Sequence, residues 1–219
     1  MIQLDSTPFL IGVAGPSGAG KSVFCKLVQS TFAGVSRLKL DDFFKDMADV
    51  PKLDEWVNWD QPSSIKWPEL IKATRDLKTG SHAVVPNYSR ELDCCVGEKC
   101  VFPSEIILID GFMCLYNEEL RDLLDLKLFF NLSEHSQIRR RKERQPWVED
   151  GYLENVMLPA ARTYILPSKQ HADYVLNAEL PRQSVADMGM HIVRSVLNSR
   201  VKKLKRRRQF TNVPVKANI

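Results

Sequence analysis

Along the chain, short continuous apolar runs alternate with segments in which apolar residues recur every three or four positions. "PFLIGVAG" (8–15) and "EIILIDG" (105–111) are unbroken apolar runs of the kind buried on both faces of a parallel sheet. "GVSRLKLDDFF" predicts a second strand, ending at Asp41; "DLKLFFNL" predicts another and "ADYVLN" a last one. Between the strands, "SVFCKLVQSTF" puts Val23, Leu27 and Phe32 near one helical face, with Phe24 and Val28 beside them. A further helix is expected from near Pro68 to just before Gly80, and Asn117 is a candidate cap for a short one. Ser133 with Gln137 marks the start of a helix that runs into a cluster of arginines. Gly151 to Leu166 reads as mixed helix, broken or kinked at Pro159, and Ser184 to Asn198 as a closing helix. Strands alternating with helices predict an α/β fold, a parallel sheet covered on both faces.

Two stretches fall outside that alternation. Residues 45–66 are an irregular excursion rich in Trp, Asp and Pro, and "HAVVPNYSRELDCCVGEKCVF" predicts a hairpin over the sheet. The simplest organisation is one domain over 1–199, with an insertion at about 43–103, a mobile helical segment at about 139–152, and a basic tail at 200–219.

The turn after the first strand carries the clearest chemistry. In "GVAGPSGAGKS" the residues from Gly15 fit G-x-x-x-x-G-K-[ST]. Glycines let the backbone curl until successive N–H groups converge on one anion, and a helix starting at Lys21 adds the positive end of its dipole. The expected nucleotide-binding residues are Gly15, Ser17, Gly18, Ala19, Gly20, Lys21, Ser22 and Val23. Lys21 would reach the β- and γ-phosphates, and the Ser22 hydroxyl would ligate Mg²⁺. A plain flexible turn is the alternative, but strand, loop and helix arrive in the order the motif requires.

Ligands of such sheets collect at the carboxyl ends of the strands, where the loop, Asp41 and Asp110 all fall. Asp110, after four apolar residues, stands where a Walker-B acid holds Mg²⁺. Asp41 can accept a proton from an attacking hydroxyl, and it joins Ser22 and Asp110 in the expected metal site. Taken singly, each acid could as well be a helix cap or a solvated turn residue. Asp60, in "NWDQP", can accept hydrogen bonds from two adjacent hydroxyls at once, as a ribose diol requires. Arg140, Arg141 and Arg144 occupy neighbouring helical positions. They form either an exposed basic face or a closing lid that stabilises charge on a migrating phosphoryl group.

Composition narrows the class. Of 219 residues, 44% are hydrophobic and 26% charged, as in ordinary globular proteins. No stretch is apolar enough to span a bilayer, and the first residues carry no signal-peptide pattern. Five cysteines, an odd number, point to reduced thiols and a cytoplasmic setting. Cys94, Cys95 and Cys100 cluster without a second CxxC pair or a ligand-spaced histidine, which argues against a metal there. The net charge of +4 is concentrated in "RRRKER" (139–144) and "RVKKLKRRR" (200–208). The second run reads as a solvated tail, with nuclear targeting or nucleic-acid contact as the alternative; it lacks the aromatic interleaving that would favour nucleic acid.

The order and spacing of "GPSGAGKS", "LDDFFK", "NWDQP", "VPNY", "IILIDGF", "RRRKER", "GYLENVMLPAARTY" and "LPSKQHADYVL" resemble the uridine kinase and nicotinamide riboside kinase group of P-loop kinases, over roughly residues 9–178. The resemblance implies a nucleoside-monophosphate-kinase-like five-stranded parallel sheet with an arginine lid. It also implies Mg²⁺-dependent transfer of the ATP γ-phosphate to a ribosyl 5′-hydroxyl, and it leaves room for a homo-oligomer. By position, Asp41 matches the family's catalytic acid, Asp60 its ribose-binding acid, and Asp110 its Walker-B acid. Arg141 and Arg144 match lid arginines, and Tyr88 matches the tyrosine lying against the base. Asp93 stands where uridine kinases usually carry a base-reading histidine, and Phe44 where many have tyrosine. Other readings are a P-loop kinase for pantothenate or a sugar, and a nucleotide-hydrolysing switch. The chain lacks the [NT]-K-x-D stretch of guanine-reading switches.

Overall fold

A computed structural model describes residues 7–211. The main sheet is built from β1 (Phe9–Ala14), β2 (Val35–Lys39), β7 (Ile106–Asp110), β8 (Leu126–Asn131) and β9 (Tyr174–Asn177). All pairings are parallel, in the order β2–β7–β1–β8–β9. Alternation along β1 makes two cores. Phe9, Ile11 and Val13 point into a layer with α1 (Lys21–Thr31) and α7 (Arg182–Thr211), while Leu10 and Ala14 enter the layer with α2 (Trp67–Lys78) and α3 (Glu118–Leu123). Asn117 caps α3 by accepting a hydrogen bond from the Leu120 N–H at 2.9 Å.

Four expectations shift. The buried face of α1 is Phe24, Cys25 and Val28, with Val23, Leu27 and Phe32 only at its margin. The cause is α7: a Cβ on Gly189 would stand 2.8 Å from the Phe24 ring, so that glycine admits Phe24 between α1 and α7. The second strand stops at Lys39, two residues short of Asp41. Leu40–Phe43 form a 3₁₀ turn that buries Leu40 and Phe43, three residues apart on one side, and turns Asp41 and Asp42 outward.

The hairpin of β5 (Ala83–Ser89) and β6 (Cys94–Val101) lies beside β2 and the 3₁₀ turn rather than over the sheet. Lys99 pairs with Asp42 at 2.8 Å, and the chain leaving β6 returns Ser104 to the Ser36 N–H at 2.8 Å. The closing helix runs on from Arg182 to Thr211, through the basic stretch expected to be a tail. Lys, Arg and Leu are good helix formers, and the next breaker is Pro214. Positions 1–6 and 212–219, at the two ends of the expected domain and tail, lie outside the described residues. Among the described residues no helix is long and apolar enough to cross a membrane.

The excursion is tied down by a two-strand pair, β3 (Lys52–Leu53) with β4 (Trp56–Val57), and by Phe44 bridging antiparallel to Ile65. Lys45 N–H donates to the Ser64 carbonyl at 2.9 Å and Lys66 N–H to the Phe43 carbonyl at 2.8 Å. After α4 (Glu134–Arg144), the single turns α5 (Asp150–Tyr152) and α6 (Leu158–Ala160) alternate with π-helical turns at Leu153–Met157 and Ala161–Ile165. This is the irregular helix expected around Pro159.

Candidate active site

The loop between β1 and α1 is shaped by its glycines. Gly15 has φ 134°, and a Cβ there would collide with the Phe130 carbonyl oxygen, so the chain passes hard against β8. Gly20, at φ 91°, turns the chain into α1, whose first residue is Lys21. Lys21 Nζ donates to the carbonyls of Gly15 at 2.6 Å and Pro16 at 3.0 Å, folding back over the loop. Withdrawal from water lowers its pKa, opposed by the charges of Asp110 and Asp41. Ala19 is buried, while Ser17, Gly18, Gly20 and Val23 are half-buried and Ser22 is exposed at the helix start.

Asp110 ends β7, as expected, and is buried. Its Oδ2 is paired with the guanidinium of Arg37, from β2; the same Arg37 Nη2 lies 3.4 Å from Ser22 Oγ. A cationic side chain thus spans two of the three expected metal ligands. Asp41 is paired with Arg90 at 2.6 Å, and its charge acts with that of Asp110 on Lys21 and on Arg37. No group of three or more His, Cys, Asp or Glu among the described residues could hold a metal by itself. The oxygens of Ser22 and Asp110 nevertheless suit a hard divalent ion, and Asp110 Oδ1 is buried with no hydrogen-bond partner.

Helix α4 is fixed at its N-terminus and lies over the loop. Ser133 Oγ accepts from the Ser136 N–H at 3.3 Å, and Glu179 accepts from the Ser133 N–H at 2.7 Å and the Ser136 hydroxyl at 2.6 Å. These bonds hold the Glu179 carboxyl down at about 2. Gln137, Arg140, Arg141 and Arg144 share one face. Arg140 donates to the Gly18 carbonyl at 3.0 Å, so it braces the loop, while Arg141 and Arg144 reach Ser17 Oγ at 3.4 Å and 3.0 Å. Burial lowers the pKa of Arg144, with Arg141 and Arg90 adding to the effect.

Across from the loop lies an aromatic cluster. Phe44 meets Trp59 edge-on at 5.3 Å and Tyr88 at 5.8 Å, and Trp59 meets Tyr88 at 6.2 Å. Arg90 lies over Phe44 at 5.5 Å. Burial raises the Tyr88 pKa, the Asp93 charge adds to it, and the hydroxyl has no hydrogen-bond partner. Asp93 is half-buried at φ 49°, with its carbonyl held by the Met47 N–H at 2.9 Å. Asp60 accepts a 2.6 Å hydrogen bond from the Tyr152 hydroxyl. Burial raises the Asp60 pKa, against the pull of Tyr152 and then of Arg141.

The fold therefore brings the loop, Asp41, Asp110, Arg141 and Arg144 together, with Asp60, Phe44, Tyr88 and Asp93 on the adjoining side. Sequence reasoning missed Arg37, Arg90, Trp59 and Tyr152. Arg37 had no clear signal, because it alternates with Leu38 and lies on the same side of the strand as the exposed Lys39. Tyr152 had a weak one, in the "GY" after the arginines.

The loop, the strand order and the helix lying over the loop define a P-loop kinase fold. Among solved structures it is similar to phosphoribulokinase from Rhodobacter spheroides, with TM-score 0.59 and 14% identity, covering 78% of this chain and 70% of that one. It is likewise similar to the possible uridine kinase from Bacillus stearothermophilus, with TM-score 0.56 and 19% identity, covering 79% and 90%. The phosphoribulokinase/uridine kinase family model matches residues 10–186, and the chain belongs to that family. It is 32% identical over 183 residues to the uridine kinase of Deinococcus deserti, covering 77% of this chain and 87% of the relative. With the uridine kinase of Ligilactobacillus salivarius identity is 29% over 215 residues, 92% of this chain and 100% of the relative. The uridine-cytidine kinase A of Dictyostelium discoideum is 27% identical over 77% of this chain, which spans 36% of that longer protein.

Proposed function

We propose that the protein transfers the γ-phosphate of ATP to the 5′-hydroxyl of a ribonucleoside. The observation that carries this reading is the position of Arg141. Its guanidinium is 3.4 Å from Ser17 of the phosphate loop, and its charge also acts on Asp60, the acid suited to a ribose diol. Donor loop and acceptor acid thus share one cation, which supports direct transfer between groups bound at the two.

In this reading the loop N–H groups and Lys21 hold the β- and γ-phosphates. Lys21 exchanges the Gly15 and Pro16 carbonyls for phosphate oxygens. Asp60 accepts hydrogen bonds from the 2′- and 3′-hydroxyls, and the base lies among Phe44, Trp59 and Tyr88. Asp41, released from Arg90, takes the proton of the 5′-hydroxyl as its oxygen attacks the γ-phosphorus and ADP leaves. Arg141 and Arg144 offset charge on the migrating group and keep water from it. Ser22 and Asp110 would hold Mg²⁺, with Asp41 nearby; when bound, the ion neutralises charge on the phosphates.

A second reading, a small hydroxylated acceptor other than a nucleoside, is favoured by Arg90, a cation that would suit an anionic group. An ATP-consumption screen against uridine, cytidine, nicotinamide riboside, pantothenate and sugars separates the two. Turnover with ribonucleosides and little with 2′-deoxyribosides is the expected result. Turnover with a sugar or pantothenate alone would replace the first reading by the second.

A further inference from the structure

Residues of β2 alternate between two environments. Leu38 enters the core shared with α2 and α3, and Arg37 faces the other way, toward α1, on the side lined by Ile106 and Leu108. A guanidinium there, with only 10% of its side chain exposed, is unfavourable unless it is paired. Its pairing is specific: one nitrogen is shared by Asp110 Oδ2 and Ser22 Oγ, and Nε has no partner. The neighbouring Cys25 thiol is kept protonated by burial and brings no charge of its own. The cation therefore sits between the two oxygens best suited to a divalent ion, and it offsets the buried carboxylate when no ion is there.

We infer that Arg37 is a resident counter-cation at the metal position, so that a divalent ion is admitted to Ser22 and Asp110 only together with a nucleotide. The argument is one of charge. With Asp110 already neutralised by Arg37, and with Lys21 and Asp41 adding opposite charges beside the pair, a lone divalent ion meets a site of net charge near zero and a guanidinium in its place. A polyphosphate on the loop restores the negative charge, offers the guanidinium other oxygens, and brings its own metal. Arg37 acts through Asp110 and Ser22 and is a positioning residue. This inference rests on the phosphate-loop reading of the site.

The test uses Mn²⁺ as the probe, with the free-ion resonance signal as readout, for the parent, Arg37→Gln and Arg37→Lys. Without nucleotide, the parent and Arg37→Lys should leave Mn²⁺ free. Arg37→Gln, which keeps a donor for Asp110 and loses the charge, should bind it about tenfold more tightly or better. With a non-hydrolysable ATP analogue all three should bind Mn²⁺, and the Mg²⁺ concentration for half-maximal turnover should be lower for Arg37→Gln. Mn²⁺ binding by the nucleotide-free parent would overturn the inference, and that arm decides alone if Arg37→Gln does not fold. Equal Mn²⁺ affinity of parent and folded Arg37→Gln would also overturn it. A parent that binds neither the analogue nor Mn²⁺ with the analogue would instead remove the phosphate-site reading.

Discussion

The phosphate loop at residues 15–20 and the aromatic cluster proposed as the acceptor pocket are assembled by different means. The loop is contiguous, and its shape comes from backbone: Gly15 at φ 134°, Gly18 at φ 80° and Gly20 at φ 91°. The pocket is discontinuous. Phe44 follows a 3₁₀ turn, Trp59 and Asp60 come from the excursion, Tyr88 and Arg90 from the hairpin, and Tyr152 from the turn after the lid helix. In the proposed reading the backbone cradle binds what every nucleotide shares, whereas the cluster of side chains selects the acceptor. Changes on the loop side should therefore abolish turnover with every acceptor, and changes in the pocket should redistribute it among acceptors.

The largest expected effect is at Lys21. Lys21→Ala removes the charge that follows the transferring group and should lower kcat by about a thousandfold or more with every acceptor. Its ammonium is withdrawn from water in the folded protein, so the loss should not destabilise the fold. Melting temperature and turnover measured on the same preparation check this. Loss for one nucleoside alone would break the division between the two sides.

Asp41 lies at the boundary and tests it more finely. Asp41→Asn should lower kcat by about a hundredfold while leaving acceptor binding in place, because proton acceptance is lost and the shape is kept. Asp60→Ala should instead raise the acceptor KM, because two hydroxyls lose a shared partner. Steady-state kinetics with one ribonucleoside and its 2′-deoxy form separate the two. If Asp41→Asn changed only KM, the acid would belong to the pocket and not to the transfer step.

That division also explains what could be read from the sequence. The loop, the strand-end Asp110 and the arginine helix are local patterns, and each lies where expected. The alternation of strands and helices gave the parallel sheet, whereas its five strands came only from the family resemblance. The end of β2 was misjudged because Leu38 and Leu40 keep the period of two that a strand shows, and the turn declares itself only at Phe43, three residues on. Arg90 and Tyr152 were missed because their partners, Asp41 and Asp60, are 49 and 92 positions away, and no periodicity links them. Arg37 shares its side of β2 with the exposed Lys39 and so reads as a solvated position; its partner Asp110 arrives only through parallel pairing of β2 with β7.

A smaller effect concerns pH. Burial raises the Asp60 pKa above the ordinary 3.8, and the Tyr152 hydrogen bond opposes the rise. In the proposed role Asp60 accepts from two hydroxyls only when ionised, so the acceptor KM should climb as pH falls through that raised value. Tyr152→Phe should move the climb to higher pH and cost a fewfold in KM at neutral pH. The stability linkage has the opposite sense. The folded protein holds the Asp60 proton to higher pH than the unfolded chain does, so the stability contributed by this group declines as pH rises between 3.8 and the folded value. A KM profile unmoved by Tyr152→Phe would detach Asp60 from acceptor binding.

The smallest effect, and the finest test of the pocket as the selective side, is at Asp93. Its carbonyl is fixed by Met47, and its charge acts on Tyr88, so the carboxylate lies at the rim of the aromatic cluster. An ionised carboxylate accepts hydrogen bonds and donates none. Uridine offers O4, another acceptor; cytidine offers an amino donor, and nicotinamide riboside a cationic ring with an amide donor. We expect cytidine or nicotinamide riboside to exceed uridine in kcat/KM by severalfold, about 1 kcal/mol of differential binding. Asp93→His supplies a group that can donate to O4 and should narrow or reverse that ratio, with kcat for the best acceptor held within about twofold. The φ of 49° at this position suits Asp and is tolerated by His, so the backbone need not shift. A parent that already prefers uridine, with no change in Asp93→His, would place Asp93 outside the pocket and leave selection to Arg90 and the three aromatic rings.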